Sequence, residues 1–146
     1  MTVVLEPEIE TGIRESFARQ GLLVRLGARL DWVRQGQCQL SADFGEAVSQ
    51  QHGFFHGGFI GALGDVAGGY AALSFMPAGS EVLTVEYKVN FLRPAKGERL
   101  EALASVLKPG RRLTVTRVDL AVVAEERSQL VATLQQTIMR VEAADG

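Results

Sequence analysis

The chain of 146 residues contains very little cysteine and histidine. Its single cysteine, Cys38, excludes an intrachain disulfide framework and fits a reducing compartment. Because Cys38 lies in a stretch of alternating apolar residues, we expect a buried, unreactive thiol. The two histidines, His52 and His56, lie among glycine and aromatic residues and not on a clear helical face. We therefore expect no metal site.

Excess charge of one sign and long apolar runs are also missing. The chain has 15 basic and 17 acidic residues, a net charge of −2, with the two signs interspersed, so nothing indicates a nucleic-acid surface. No apolar run reaches the ~20 residues of a membrane span. Residues 1–7 lack the basic and apolar regions of a signal peptide. We expect a cytoplasmic protein with no nucleic-acid or membrane partner, and the length predicts one domain over residues 1–146.

One segment is unusually rich in glycine and apolar residues. From Gly58 to Ser74, Asp65 is the only side chain expected to carry a charge at neutral pH. This pattern predicts a helix over about 57–75 that is apolar on every side and therefore buried. The five glycines between Gly58 and Ser74 suit a helix that another backbone approaches closely. A lone carboxylate in such a helix must be paired, hydrogen-bonded or protonated, and the residues alone leave a catalytic and a structural role for Asp65 equally open.

The flanking segments predict one further helix and a series of strands. Apolar residues at every fourth position predict a helix over about 7–20. Alternation predicts one strand over 22–34 and another over 37–43. Four further strands are predicted over 83–91, 100–106, 113–123 and 130–141, with short connections that make neighbouring strands antiparallel. This order predicts an α+β domain in which a long antiparallel β-sheet wraps around the central glycine-rich α-helix.

Four features in this order resemble a known family. They are His56-Gly57-Gly58, Asp65 nine residues after His56, Arg93-Pro94-Ala95 after a long strand, and Lys108-Pro109-Gly110-Arg111 at the next hairpin. From Gly36 onward the sequence is similar to the hotdog-fold acyl-CoA thioesterases of the phenylacetate-pathway type. The resemblance implies the hotdog fold and the hydrolysis of an acyl-CoA to a free acid and CoA.

The resemblance also implies roles for individual residues. The backbone N–H of Gly57, at the start of the helix, would polarise the thioester carbonyl. Asp65 would act as general base on water or attack the carbonyl itself. His56 would fix the loop or the thioester, although it could equally be a packed loop histidine. Thr84, on the strand after the helix, would assist Asp65, although threonine is also simply a good strand former.

One position departs from the family pattern. Related enzymes often have asparagine six residues before the histidine, where it helps to position water, and this chain has Gln50. Glutamine keeps the amide but moves it by one methylene. Gln51 could replace it if the loop shifts. The departure concerns the rate and the water position, not the reaction class.

The remaining expectations concern the substrate and the assembly. Candidate contacts for the CoA phosphates are Arg93, Lys108, Arg111 and Arg112, each of which could equally be a solvated hairpin charge. CoA is part of the substrate, so no separate cofactor is expected. The acyl group is not readable from the sequence. The resemblance places the site at a subunit interface, with Gly57 of one subunit facing Asp65 of the other, in a homodimer or homotetramer.

Three alternatives belong to other functional classes. An acyl-thioester dehydratase or hydratase would use the same fold with a catalytic histidine in a different spacing. A non-catalytic acyl-CoA binding or sensing module would keep the pocket but would not need Asp65. A purely structural oligomer would need neither. The position of His56 in the thioesterase motif disfavours the first, and the carboxylate in an otherwise uncharged helix disfavours the second.

Overall fold

The computed structural model describes residues 4–142, which form three α-helices and a single antiparallel sheet of six strands in the order β1-β2-β4-β5-β6-β3. The helices are α1 (Pro7–Ala18), α2 (Gly21–Arg25) and α3 (Gly57–Leu73). The strands are β1 (Arg29–Arg34), β2 (Gln37–Asp43), β3 (Glu81–Phe91), β4 (Arg99–Lys108), β5 (Leu113–Ala124) and β6 (Arg127–Val141).

Helix α3 is the centre of the fold and contacts all six strands. Apolar side chains of β4, β5 and β6 face it, and its own Leu63, Ala67 and Ala71 have no exposed surface. Glycine favours this close approach, because a Cβ at Gly64 would lie 3.2 Å from Leu134 Cδ1, which is a tight contact. The predicted α+β hotdog fold, a long sheet wrapped around a buried glycine-rich helix, is confirmed.

The predicted strand over 22–34 is wrong in its first part. Residues Gly21–Arg25 form helix α2, and β1 begins only at Arg29. The alternating apolar residues misled the prediction, because Leu23 is 1% exposed whereas Leu22 is 61% exposed. Burial therefore follows one face of a short helix, and Gly27, with a φ of +80°, turns the chain into the strand.

The prediction that short connections join neighbouring strands fails between β3 and β4. Residues 92–98 connect them, yet β3 pairs with β6 at the edge of the sheet, and β4 lies between β2 and β5. The connection crosses the end of the sheet. Ala95 is buried within it, and its carbonyl accepts a hydrogen bond from the Phe55 N–H, just before α3. Residues 92–98 thus connect two strands that are not neighbours in the sheet, and they also hold the start of α3 in place.

Candidate active site

Asp65 lies half-buried on α3, and hydrogen bonds from two strands fix its carboxylate. Thr84 on β3 donates from its hydroxyl to Asp65 Oδ1 at 2.6 Å. Gln136 on β6 donates from Nε2 to the same oxygen at 2.8 Å. Among residues 4–142, Oδ2 has no hydrogen-bond donor and the carboxylate forms no salt bridge. The carboxylate is therefore oriented through one oxygen, and the other is available to a ligand.

Thr84 reaches Asp65 because β3 contains an irregularity. The pairing of β3 with β6 shifts register between Thr84 and Glu86, so that Thr84 pairs with Ile138 and Tyr87 pairs with Gln136. Paired residues share a face of the sheet, and both Ile138 and Gln136 are buried on the side of α3. The extra residue places Thr84 and Tyr87 on the same face of the sheet. In a regular strand, residues three apart lie on opposite faces.

Gln136 is a site residue that the sequence reasoning missed. It has no exposed surface, and its Nε2 also lies 3.2 Å from the backbone oxygen of Asp65. Its Oε1 accepts a hydrogen bond from the hydroxyl of Thr116 on β5 at 3.0 Å. The sequence did contain a signal for it, because Gln136 occupies an inward position of an alternating strand, between Leu134 and Ile138. A buried amide needs hydrogen-bond partners, so a glutamine at such a position indicates a polar group nearby.

A cleft of about 260 Å³ opens beside the carboxylate. It is lined by Gln20, Asp65, Val66, Gly69, Tyr70, Val82, Leu83 and Thr84. The hydroxyl of Tyr70 lies 3.0 Å from Ser16 Oγ and 3.3 Å from Gln20 Nε2, which ties helix α1 to this side of α3. Apolar walls and a few directed polar groups are typical of a small-molecule site.

The start of α3 presents a backbone donor. His56 is the N-cap, and its Nδ1 accepts a hydrogen bond from the Gly58 N–H at 2.8 Å. This contact gives His56 a structural task in the loop. The preceding N–H, that of Gly57, belongs to the first turn and has no acceptor among the described residues. The ring of Phe91 packs against the Cα of Gly57, since a Cβ at Gly57 would lie 3.2 Å from Phe91 Cζ.

Gln50 lies beside Gly57 in a second cleft of about 460 Å³. Its Oε1 accepts hydrogen bonds from the backbone N–H groups of His52 and Phe54, which fixes the turn that leads to α3. The carbonyl end of the amide is thus occupied by its own loop, and the NH₂ end is the part left for a ligand. Gln51 does not line this cleft.

The two clefts are separate within one chain. Gly57 and Asp65 are eight residues apart on a continuous helix, which corresponds to about 12 Å along its axis. No residue lines both clefts. One copy of the chain therefore does not bring the free N–H of Gly57 to the carboxylate of Asp65.

The predicted phosphate contacts also divide into two groups. Arg93 lines the cleft of Gly57 and donates to the Leu130 carbonyl at 2.8 Å. Arg111 and Arg112 line a larger cleft of about 730 Å³, together with Arg140. Leu130 and Arg140 lie near opposite ends of β6, roughly 30 Å apart. Lys108 is exposed at the end of β4.

Other reactive groups lie away from these clefts. Cys38 is buried in β2, and burial raises the pKa of its thiol to about 12, so it is protonated and a poor nucleophile at neutral pH. Over residues 4–142, no three His, Cys, Asp or Glu side chains come together as a metal site. None of the helices in that range is both long and apolar enough to cross a membrane.

A buried glycine-rich helix inside a curved antiparallel sheet is the architecture of the hotdog fold. Residues 52–127 match the model of the thioesterase superfamily, and the chain belongs to this family.

Individual relatives agree with this family. A thioesterase family protein from Silicibacter pomeroyi has a solved structure with 42% identity and a TM-score of 0.90, over 92% of this chain and 99% of that one. A protein of Halobacterium salinarum named "Putative esterase" is 33% identical and covers 72% of each chain. The Escherichia coli medium/long-chain acyl-CoA thioesterase YigI is 32% identical over 44% of this chain and 50% of its own length. These similarities support thioester hydrolysis as the general activity.

Proposed function

We propose that this protein hydrolyses acyl-CoA thioesters to a free carboxylic acid and CoA, as a thioesterase of the phenylacetate-pathway type. The observation that carries the proposal is the carboxylate of Asp65. Two neutral donors hold its Oδ1, no described cation pairs with it, and it lines an open cleft. A structural carboxylate would be expected to use both oxygens in the protein, because an unpaired charge is costly to bury.

The chemistry follows from the two ends of the proposed site. The N–H of Gly57 donates to the thioester oxygen, where negative charge develops in the transition state, and the helix N-terminus adds partial positive charge. Asp65 Oδ2 takes a proton from water while the water oxygen bonds to the carbonyl carbon. The carbon–sulfur bond then breaks, and the CoA thiolate takes up that proton. In the nucleophilic route the same oxygen bonds to the carbonyl carbon, and the carbon–sulfur bond breaks to release CoA as the thiolate. Water then cleaves the resulting acyl anhydride to the free acid and the Asp65 carboxylate, and the proton that this water releases is taken up by the thiolate.

The site is completed, in this proposal, by a second copy of the chain. Strand β3 is at the edge of the sheet, and Leu83, Val85 and Phe91 on it are more than half exposed. An exposed edge with apolar side chains is suited to pairing with another strand. Pairing with a second β3 gives the twofold contact that is commonest in homodimers, and two such dimers would form the homotetramer.

The geometry of β3 indicates which residues would meet. Thr84 contacts Asp65, and seven residues later Phe91 covers Gly57, so β3 runs alongside α3 from one group to the other. If two copies of β3 pair antiparallel about a point midway between Thr84 and Phe91, Asp65 of each copy comes to the same level as Gly57 of the other. The same pairing brings Arg93 of one copy towards the end of the partner that carries Arg111 and Arg112. The nucleotide phosphates of CoA would then have both groups within reach.

The direct test is Asp65→Asn, assayed by thiol release from a panel of aromatic, short, medium and long acyl-CoAs. We expect a fold and an affinity for CoA like those of the wild type, with most of the turnover lost. Asp119→Asn is the matched control, because Asp119 also accepts a hydrogen bond from a threonine, Thr133, but lies between the buried residues Val118 and Leu120 and so faces away from α3. Near-wild-type kcat for Asp65→Asn on the best substrate would rule out the proposed mechanism.

A further inference from the structure

We infer that Gln136 and Thr116 form a buried positioning pair that selects Oδ2 of Asp65 as the reacting oxygen. The inference rests on the proposed function, since it concerns how the carboxylate of that site is held. The pair lies behind the carboxylate, on the inner face of β5 and β6, and neither residue has any exposed surface. Both are therefore positioning residues that do not touch substrate.

The orientation of the Gln136 amide follows from its surroundings. On one side lie two acceptors of Asp65, Oδ1 at 2.8 Å and the backbone oxygen at 3.2 Å. On the other side lies the hydroxyl of Thr116, at 3.0 Å, which is able to donate. A flipped amide would place its oxygen against two other oxygens, which leaves buried groups unsatisfied. The NH₂ group therefore points to Asp65.

This arrangement gives hydrogen bonds to only one of the two carboxylate oxygens. Oδ1 accepts from both Gln136 and Thr84, which approach it from different strands. An anion bonded in this way has its rotation about the Cβ–Cγ bond fixed, and the second oxygen is held in one position. Reacting groups lose rate steeply when they are misplaced by as little as ~1 Å, so a fixed Oδ2 has catalytic value.

A glycine in α3 provides the space for this pair. A Cβ at Gly68 would lie 1.5 Å from Gln136 Oε1 and 2.7 Å from Thr116 Oγ1. Gly68 is also one turn after Asp65, on the same side of the helix. The polar pair and the glycine are thus complementary in shape. The glycine serves the site and not only the close packing of helix on sheet.

The test compares four single variants and one double variant in steady-state kinetics on the best acyl-CoA, with thermal unfolding measured for each. Gln136→Leu keeps the bulk and removes the donor, and we expect kcat to fall by about 100-fold with KM nearly unchanged. Thr116→Val removes only the outer hydroxyl, and we expect a smaller fall of about 10-fold. Gln135→Leu, an exposed neighbour on the same strand, is the matched control and should match the wild type.

Gly68→Ala supplies the second, independent arm. The added methyl must displace the Gln136 amide, so its kcat should fall like that of Gln136→Leu. The double variant Gly68→Ala with Gln136→Leu should be no slower than either single variant, because both changes remove the same contact. Additive losses would show that Gly68 acts by a different route and would overturn the pairing.

The outcomes separate the two proposals. Wild-type protein without hydrolase activity on any acyl-CoA would refute the proposed function and this inference with it. Active wild-type protein with Gln136→Leu at the wild-type kcat would refute the inference alone. If Gln136→Leu fails to fold, the side-chain NH₂ signals of Gln136 in ¹⁵N spectra of the wild type decide. They should shift in Asp65→Asn and stay unchanged in Asp119→Asn, and an unchanged spectrum in both would refute the contact.

Discussion

The two ends of the proposed site on α3 differ in kind. At the start of the helix, the proposed functional group is the backbone N–H of Gly57, which any residue except proline would supply. About two turns further along the helix, the proposed functional group is the side chain of Asp65, and three further side chains orient it. Substitution of side chains can therefore test the proposed role of Asp65, whereas a test of the Gly57 N–H requires a change to the backbone.

Proline at position 57 is such a change. Proline is favoured in the first turn of a helix, and His56 before it already has the extended ψ of 134° that a residue preceding proline needs. Gly57→Pro therefore deletes the N–H with little harm to α3, and we expect kcat to fall by ~10²–10³-fold, as for the loss of other oxyanion donors. Gly57→Ala is the control, because it meets the same Phe91 ring but keeps the N–H. Equal losses in both variants would point to crowding and not to the donor.

Mixing two inactive variants tests whether the two ends meet across subunits. In a mixed dimer of Gly57→Pro and Asp65→Asn, one site carries both changes and the other carries neither. Random re-association after mild unfolding should restore activity to roughly a quarter of the sites. Each variant refolded alone is the control and should stay inactive. No recovery in a mixture shown to contain hybrids would place the complete site within one chain.

A smaller effect is expected from the arginines beyond the reacting groups. Arg111→Ala and Arg112→Ala should each raise KM for acyl-CoA several-fold and change kcat little, because phosphate contacts act equally in the ground state and the transition state. The effect should weaken with salt, as the Debye length falls from about 10 Å at 0.1 M to about 3 Å at 1 M. A pantetheine thioester, which lacks the nucleotide, should respond much less. Equal changes for both substrates would give these arginines a structural role.

The smallest effect on activity is expected at Cys38. With a thiol pKa raised to about 12 by burial, the native protein should react with a disulfide reagent at neutral pH only as fast as it unfolds, and kcat should be unaffected. The raised pKa also makes the stability of the protein depend on pH. The unfolded chain releases the thiol proton above the ordinary value of 9.0, so the contribution of Cys38 to the free energy of unfolding should be constant below that pH and decrease as pH rises towards 12. Cys38→Ala should remove this alkaline decrease.

Much of the fold could be predicted because its signals are local. The bounds of β2 follow from the alternation of apolar residues, and the position of α3 follows from a continuous apolar, glycine-rich run. The place of β3 in the sheet could not be predicted, since it depends on which distant strand it pairs with. The helix at Gly21–Arg25 was missed because an apolar alternation over so short a segment fits a strand as well as a helix.

The candidate site divides in the same way. Asp65 and the start of α3 were identifiable because a lone charge and a glycine pair contrast with their neighbours in the sequence. Gln136 and Thr116 were not, because strands commonly contain such residues, and only the fold brings them behind Asp65. The contact between Thr84 and Asp65 depends on an irregularity in β3 that no local pattern announces. The separation of Arg93 from Arg111 likewise emerges only from the sheet order.

The edge position of β3 also has a consequence for the order of folding. Within the sheet, β3 pairs only with β6, although β4 and β5 intervene between them in the chain. Such long-range pairing incurs a large loop-closure entropy and is expected late. During synthesis, Thr84 leaves the ribosome well before β6, so β3 has no strand to pair with at that stage. The hydroxyl that orients Asp65 is therefore among the last groups to reach its place, and truncating β6 should yield a chain that collapses without ever assembling the carboxylate's surroundings.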